Sequence, residues 1–296
     1  MIIDCHTHIE SNIRATAPET WGRMCKKARA VLGKEEFKRW QADFDCTVEA
    51  LIKDMDKAGI DKSIVFSSPE EKEYAAEAQR KYPDRVIGYL FIELSEPTNE
   101  TLKLLNTAIT EWGLKGVKIM PCCPLTDKSW RKFMDRVYEL EVPILVHMGA
   151  SPLLINEGFI PNYLPELVER YPKMRIQVAH VAKGYEGLLT DVIAEKRAGR
   201  IVCDLAAWQA YYEESPWHFT LQMRYLMDRM PDRIVMGSDW PVATLGRGLS
   251  NKEWFDAIRN LKMPEQVLEL GLGIKDFSQE EKDNILGENA RRFLGI

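Results

Sequence analysis

Two histidines two residues apart, His6 and His8, close a short apolar run at the start of the chain, Met1-Ile-Ile-Asp-Cys-His-Thr-His8. On a β-strand side chains alternate with a period of two, so Asp4, His6 and His8 share one face. Two imidazoles on one face, at the end of a buried strand, make half of a metal site. Imidazole ligates zinc, manganese or iron through one nitrogen, and its other nitrogen needs a partner of its own. The other half has to come from elsewhere in the chain. Three places offer it, each directly after a β-like apolar run: Val146-His147, Ala179-His180 and Ser238-Asp239.

Bringing these residues together requires elements that repeat. Apolar spacing predicts helices over 48–58, 69–81, 98–112, 127–140, 163–171, 184–198 and 216–230. Between them, β-rich runs fall at 62–67, 85–94, 116–120, 142–147, 175–180, 200–205 and 233–237. Capping boxes at Ser250-x-x-Glu253 and Ser278-x-x-Glu281 open two further helices. With the first stretch there are eight strands, each leading to a helical segment. Repeated β–α alternation predicts an α/β protein with a parallel sheet, and eight units in 296 residues predict a closed (β/α)8 TIM barrel spanning 1–296 as a single domain. No Gly-rich phosphate loop follows a strand, which argues against a nucleotide-binding sheet. Residues 10–46 are too long for a regular connection. Their charged, partly helical pattern, with Trp21, Phe37, Trp40 and Phe44, predicts a helical excursion over the barrel mouth, either a lid or an oligomer contact.

Composition removes several function classes. Hydrophobic residues make up 45% and charged residues 29%, an ordinary globular balance. The net charge of −5 gives no nucleic-acid footprint. No uncharged apolar run reaches the roughly 18 residues of a membrane span, and the N-terminus does not read as a signal peptide. The six cysteines (5, 25, 46, 122, 123, 203) form no CxxC pair, so free thiols in a reducing cytoplasm are expected.

In a barrel of this kind the functional residues sit at the C-terminal ends of the strands. Four of the five histidines fall there, and Asp239 follows the eighth strand. One histidine at a strand end is ordinarily structural; four on one rim point to a metal. His6, His8 and His147 supply neutral nitrogens and Asp239 an anionic oxygen. Such a set with an open position suits a catalytic metal, which lowers the pKa of bound water from ~16 towards ~7. Asp239 can then take a proton from that water and pass it to a leaving group, and His180 can orient the water or polarise a carbonyl.

On these residues the chain resembles the amidohydrolase superfamily, in the branch that holds aminocarboxymuconate-semialdehyde decarboxylase, aromatic-acid decarboxylases, and lactone and amide hydrolases. The matching motifs are Asp4-x-His6-x-His8, Lys115-Gly-Val-Lys118, Val146-His147, Ala179-His180 and Gly237-Ser-Asp-Trp-Pro241, and they run from the first strand to the eighth. The resemblance implies one divalent metal, zinc or alternatively manganese, on His6, His8, His147 and Asp239, with His180 and Asp239 catalytic. It implies a metal-dependent hydrolase of a small amide or lactone, or alternatively a non-oxidative decarboxylase of a small aromatic or muconate-like acid. A catalytically silent scaffold has no chemical need for this ligand set. Two departures stand out: His6 is kept where some decarboxylases of the branch carry glutamate, and Met120-Pro121 replaces a histidine–proline pair.

Other residues have competing readings. Lys118 either holds an ion pair or a substrate carboxylate, or is a carboxylated bridge to a second metal. Arg247 is a candidate clamp for a substrate carboxylate. Trp208, with Trp217, Trp240 and Phe159, is placed to stack on a substrate ring or simply to pack. His218, at the start of a helix, reads as structural. The partner expected is a small-molecule substrate, with no nucleic acid and no membrane, for a cytoplasmic homo-oligomer, a dimer.

Overall fold

The computed structural model describes residues 1–93, 95–150, 156–194, 200–241 and 249–296, with the side chains of Lys27 and Val31 left aside. Among the described residues there are eight strands: β1 (Ile3–His8), β2 (Lys62–Phe66), β3 (Val86–Glu93), β4 (Gly116–Met120), β5 (Ile144–Val146), β6 (Arg175–Val178), β7 (Arg200–Asp204) and β8 (Ile234–Val235). They pair in sequence order and in parallel, with helical segments between them. This is a (β/α)8 TIM barrel. Strands covered by helices on the outside and by side chains inside are buried on both faces, which is why Ile64-Val65-Phe66 and Ile144-Leu145-Val146 are continuous apolar runs. Ile3, Cys5, Ile64, Phe66, Tyr89, Leu145, Val202 and Val235 belong to one buried cluster, separate from the larger one that includes helix residues such as Leu51, Phe133 and Leu226.

Several elements are shorter than their sequence pattern. The run 233–237 is a strand only at Ile234–Val235, because the backbone beyond turns to meet β1. Cys5 N–H donates to Met236 O at 2.9 Å, Asp239 N–H to His6 O at 2.8 Å and His8 N–H to Trp240 O at 2.6 Å. These bonds close the barrel and fix Ser238-Asp239 beside His6 and His8. The pattern over 69–81 divides into a single 3-10 turn, Pro69–Glu71, and a helix, Tyr74–Lys81. Ser67 Oγ donates to Glu71 O, and Ser68 turns its N–H and Oγ to the Glu10 carboxylate at 2.8 and 3.0 Å. Such side-chain bonds compete with a continuous helix. Burial pushes the Glu10 carboxyl up to about 8.

After β1 the chain forms helices Ile13–Thr16, Pro18–Val31 and Lys34–Asp43. Trp21 stacks on Trp40 with ring centres 5.4 Å apart, and Phe37 and Phe44 pack against Trp40. Ile13, Ala17 and Met24 join the main buried cluster. Burial raises the pKa of Glu93 at the end of β3, and the charge of Arg23 opposes that rise. Both capping boxes form: Ser250 and Ser278 accept from the backbones of Glu253 and Glu281, whose carboxylates accept from the serine N–H groups. No helix among the described residues is long and apolar enough to cross a membrane. All six cysteines are free.

Candidate metal and catalytic centre

The centre is built at the exits of β1, β5, β6, β7 and β8. His6 is buried and His8 half-buried on the same face of β1. Asp239 reaches them from beyond β8 at φ 55°, a left-handed conformation held by its N–H bond to His6 O. Its Oδ1 lies 3.4 Å from His6 Nε2 and 3.2 Å from His8 Nε2. Burial acts to raise the Asp239 pKa, but the His8 hydrogen bond and the neighbouring imidazoles outweigh it and hold the carboxyl well below the usual range. Burial, and then the Lys118 charge, keeps His6 well below the usual imidazole range. An ionised Asp239 and a neutral His6 are the charge states a divalent ion requires.

Asp4 holds this arrangement from below. It accepts from Ser238 N–H at 3.0 Å, Ser238 Oγ at 2.5 Å and His6 N–H at 3.2 Å, and burial pushes its carboxyl up to about 7. Gly237 is the residue that permits the approach, since a Cβ there would meet Ala206 N, Asp204 Cβ and His6 Cβ at 3.2 Å.

His147 follows β5, anchored by its N–H to Ile119 O at 2.8 Å. Its Nδ1 lies 3.3 Å from His180 Nε2. His180 Nδ1 faces Ala206 O at 3.0 Å and has to donate to it, so His180 Nε2 is an acceptor. His147 Nδ1 then carries the proton, and its Nε2 keeps the free lone pair. Burial lowers both imidazoles, His147 the further. His180, Val181 and Ala182 are three consecutive residues at positive φ, 60°, 49° and 47°. That is why β6 stops at Val178 and not at His180. Such a turn costs roughly 1–3 kcal/mol per residue and persists only where its surroundings hold it. Here Trp208 Nε1 donates to His180 O at 2.8 Å, and His180 N–H donates to Asp204 Oδ1 at 2.9 Å.

The structure brings His6, His8 and Asp239 together with donor atoms within 4.8 Å of one another. A second group under the same limit is His6, His180 and Asp204. His147 joins the constellation through His180. Lys118 is 2% exposed and places Nζ 3.3 Å from His6 Nε2 and 5.2 Å from the centre of the Phe66 ring; burial lowers its pKa to about 8. An ion ligated by His6 Nε2 has to take the place of that hydrogen bond.

Of the aromatic residues expected at the mouth, Phe159 lies 4.8 Å from the His147 ring. Trp208 is 1% exposed, so its link to the site runs through the His180 carbonyl. Trp240 is buried, and Trp217 is half exposed on the helix Pro216–Arg229. His218 is exposed on that same helix. Arg247 lies outside the described residues. Three residues of the site escaped the sequence reading. Phe66, 4.4 Å from His8 and 5.3 Å from His6, and Phe91, 6.4 Å from His8, looked like core residues of their strands. Asp204, fully buried, gave only the signal of a carboxylate ending an apolar strand.

A family model described as amidohydrolase matches residues 3–296. Among curated proteins the chain is similar to the 2-amino-3-carboxymuconate-6-semialdehyde decarboxylase of Dictyostelium discoideum, 21% identical, with 99% of this chain and 91% of the relative covered. Among solved structures it is similar to 5-carboxyvanillate decarboxylase of Novosphingobium aromaticivorans, solved with bound manganese, at TM-score 0.64 and 16% identity over 100% and 97% of the two chains. It is also similar to 4-oxalomesaconate hydratase of Rhodopseudomonas palustris, at TM-score 0.64 and 17% identity over 100% and 96%.

Proposed function

The chain belongs to the amidohydrolase family, and from that premise we propose that it is a metal-dependent hydrolase of a small amide or lactone, with His6, His8, His147 and Asp239 as ligands and His180 and Asp239 as catalytic groups. The observation that carries the reading is the Asp239 carboxylate, held ionised with its Oδ1 3.2 Å from His8 Nε2 and 3.4 Å from His6 Nε2. Three nitrogens and one oxygen suit a single divalent ion, zinc or manganese. When bound, that ion supplies Lewis acidity and makes water a stronger acid at neutral pH.

The protein's own groups do the rest. Asp239 accepts the proton of the attacking water and returns it to the leaving nitrogen or oxygen. His180, fixed through Nδ1 to Ala206 O, presents a neutral Nε2 that positions the reacting group. Phe66 and Phe91 line the histidines with apolar surface and exclude bulk water. Lys118 and Arg247 attract a substrate carboxylate. Residues 10–46 wall the chamber; the packing of Ile13, Ala17 and Met24 in the core supports this, and the whole 1–296 chain then works as one domain. The free thiols support a reducing, cytoplasmic setting, and the exposed Trp217, Leu221 and Tyr225 on one helix support a homodimer.

A second reading is favoured by the curated relative: decarboxylation of a small aromatic or muconate-like acid by the same residues. One experiment separates the two. Metal-loaded protein is incubated with lactones and amides in a pH-stat, and with hydroxybenzoate-type acids under carbon dioxide detection. Acid release from the first panel supports the hydrolase. Carbon dioxide from the second, with no acid release, overturns it in favour of the decarboxylase.

A further inference from the structure

Asp204 is a buried carboxylate at the end of β7 that accepts from three fixed donors and faces a ring nitrogen of His6. His6 Nδ1 lies 3.1 Å and Gln177 Nε2 2.6 Å from Oδ2. The backbone N–H groups of His180 and Ala206 point at Oδ1 from 2.9 and 3.1 Å. We propose that Asp204 is the positioning residue of the centre: it sets the tautomer of His6, so that Nε2 is the nitrogen left for a ligand, and it holds the left-handed turn that carries His180. The inference rests on the metal-site reading above.

A carboxylate only accepts, and three fixed N–H donors already surround this one, from Gln177, His180 and Ala206. A neutral His6 facing it therefore carries its proton on Nδ1. On the opposite side of the ring Nε2 faces both Lys118 Nζ, a donor, at 3.3 Å and Asp239 Oδ1, an acceptor, at 3.4 Å, so the tautomer is decided on the Asp204 side. Gln177 is locked in its orientation as well, since its Nε2 also donates to Cys5 O at 3.0 Å. Asp204 thus links the strand that supplies His6 to the turn that supplies His180. His180 stands at φ 60°, where a non-glycine residue needs outside support. A ligating histidine whose second nitrogen is held by a carboxylate is oriented before the ion arrives.

Asparagine at 204 keeps the shape and breaks the pattern. In one orientation its NH2 faces His6 Nδ1 and Gln177 Nε2; in the other it faces two backbone N–H groups that have no alternative. The first orientation is the one with a way out: His6 moves its proton to Nε2, and the ligand lone pair is lost from that nitrogen.

The test reads the ring nitrogens directly. Long-range proton–nitrogen correlation spectra are recorded on metal-free protein, with the His6 signals identified by their loss in His6→Ala. Zinc affinity is measured by competition with a chromophoric chelator. Wild type is expected to show His6 protonated on Nδ1. Asp204→Asn is expected to show the Nε2-protonated form and to bind zinc about 10–100-fold more weakly. Gln177→Ala, which removes one donor and leaves the carboxylate, is expected to keep the wild-type tautomer. His6 protonated on Nε2 in wild type overturns the proposal, and so does an Asp204→Asn protein with the wild-type tautomer and affinity. Should Asp204→Asn fail to fold, the wild-type and Gln177→Ala spectra decide. A wild-type protein that takes up no zinc overturns the metal-site reading, and the tautomer of metal-free His6 still upholds or overturns the role of Asp204.

Discussion

Asp239 shares one carboxylate oxygen between His6 and His8, and its backbone N–H is spent on His6 O. The residue is therefore set by β1 as much as by its own strand. Asp239→Asn keeps the side-chain volume and removes the charge and the proton acceptor. We expect turnover to fall by about 10²–10⁴, with an unchanged circular dichroism spectrum. His6→Ala removes the ring between Asp204 and Asp239, and we expect turnover to be lost with the barrel still folded. Normal turnover by either variant contradicts the assignment. The residues with regular spacing were legible: His6 and His8 on one strand, and histidines ending β-like runs. Asp204 and Phe66 were not, because a single carboxylate or phenylalanine ending an apolar strand looks the same whether or not a histidine from another strand lies beside it.

Among the elements, the two helix starts marked by capping boxes were read to the residue. Ser250 and Ser278 cap where the capping-box spacing places them, since a cap is a contact between residues three apart. Ser250→Ala is expected to cost about 0.5–2 kcal/mol of stability, measured by urea unfolding. The helix Pro216–Arg229 is tied to the C-terminal helices by Arg224, whose Nη2 and Nη1 donate to Glu281 at 2.7 and 3.2 Å. This hydrogen bond is the main cause that lowers the Glu281 pKa from 4.5. A depressed carboxylate stabilises the fold above its unfolded-state pKa, and that contribution is lost as pH falls through the folded value. Glu281→Gln should therefore lower the melting temperature at pH 7 and narrow its difference from wild type as pH is lowered below about 4.5. An equal deficit at pH 7 and pH 3 counts against the ion pair. Strand ends were harder to read. β8 stops at Val235 and β6 at Val178 because tertiary bonds to β1, Asp204 and Trp208 bend the chain there, and no local pattern announces such bonds.

At the scale of the whole molecule, eight β–α units in order produce one rim, and chemistry collects on that rim because every strand exits there. The order of the strands was legible because each apolar run is bounded by helix signals. Residues 10–46 were legible as helices, while their placement depends on packing between Trp21, Trp40 and the core, which spacing alone does not encode. The interior is sensitive to volume: Leu145→Ala, inside the barrel and fully buried, is expected to cost about 2–5 kcal/mol in the same unfolding assay. The account as a whole turns on the ion. Metal content of the purified protein, measured by mass spectrometry beside His8→Ala, tests it most directly. We expect about one equivalent of zinc or manganese in wild type and its loss in the variant, with both proteins folded. No metal in wild type, even after incubation with divalent ions, or the same content in His8→Ala, would contradict it.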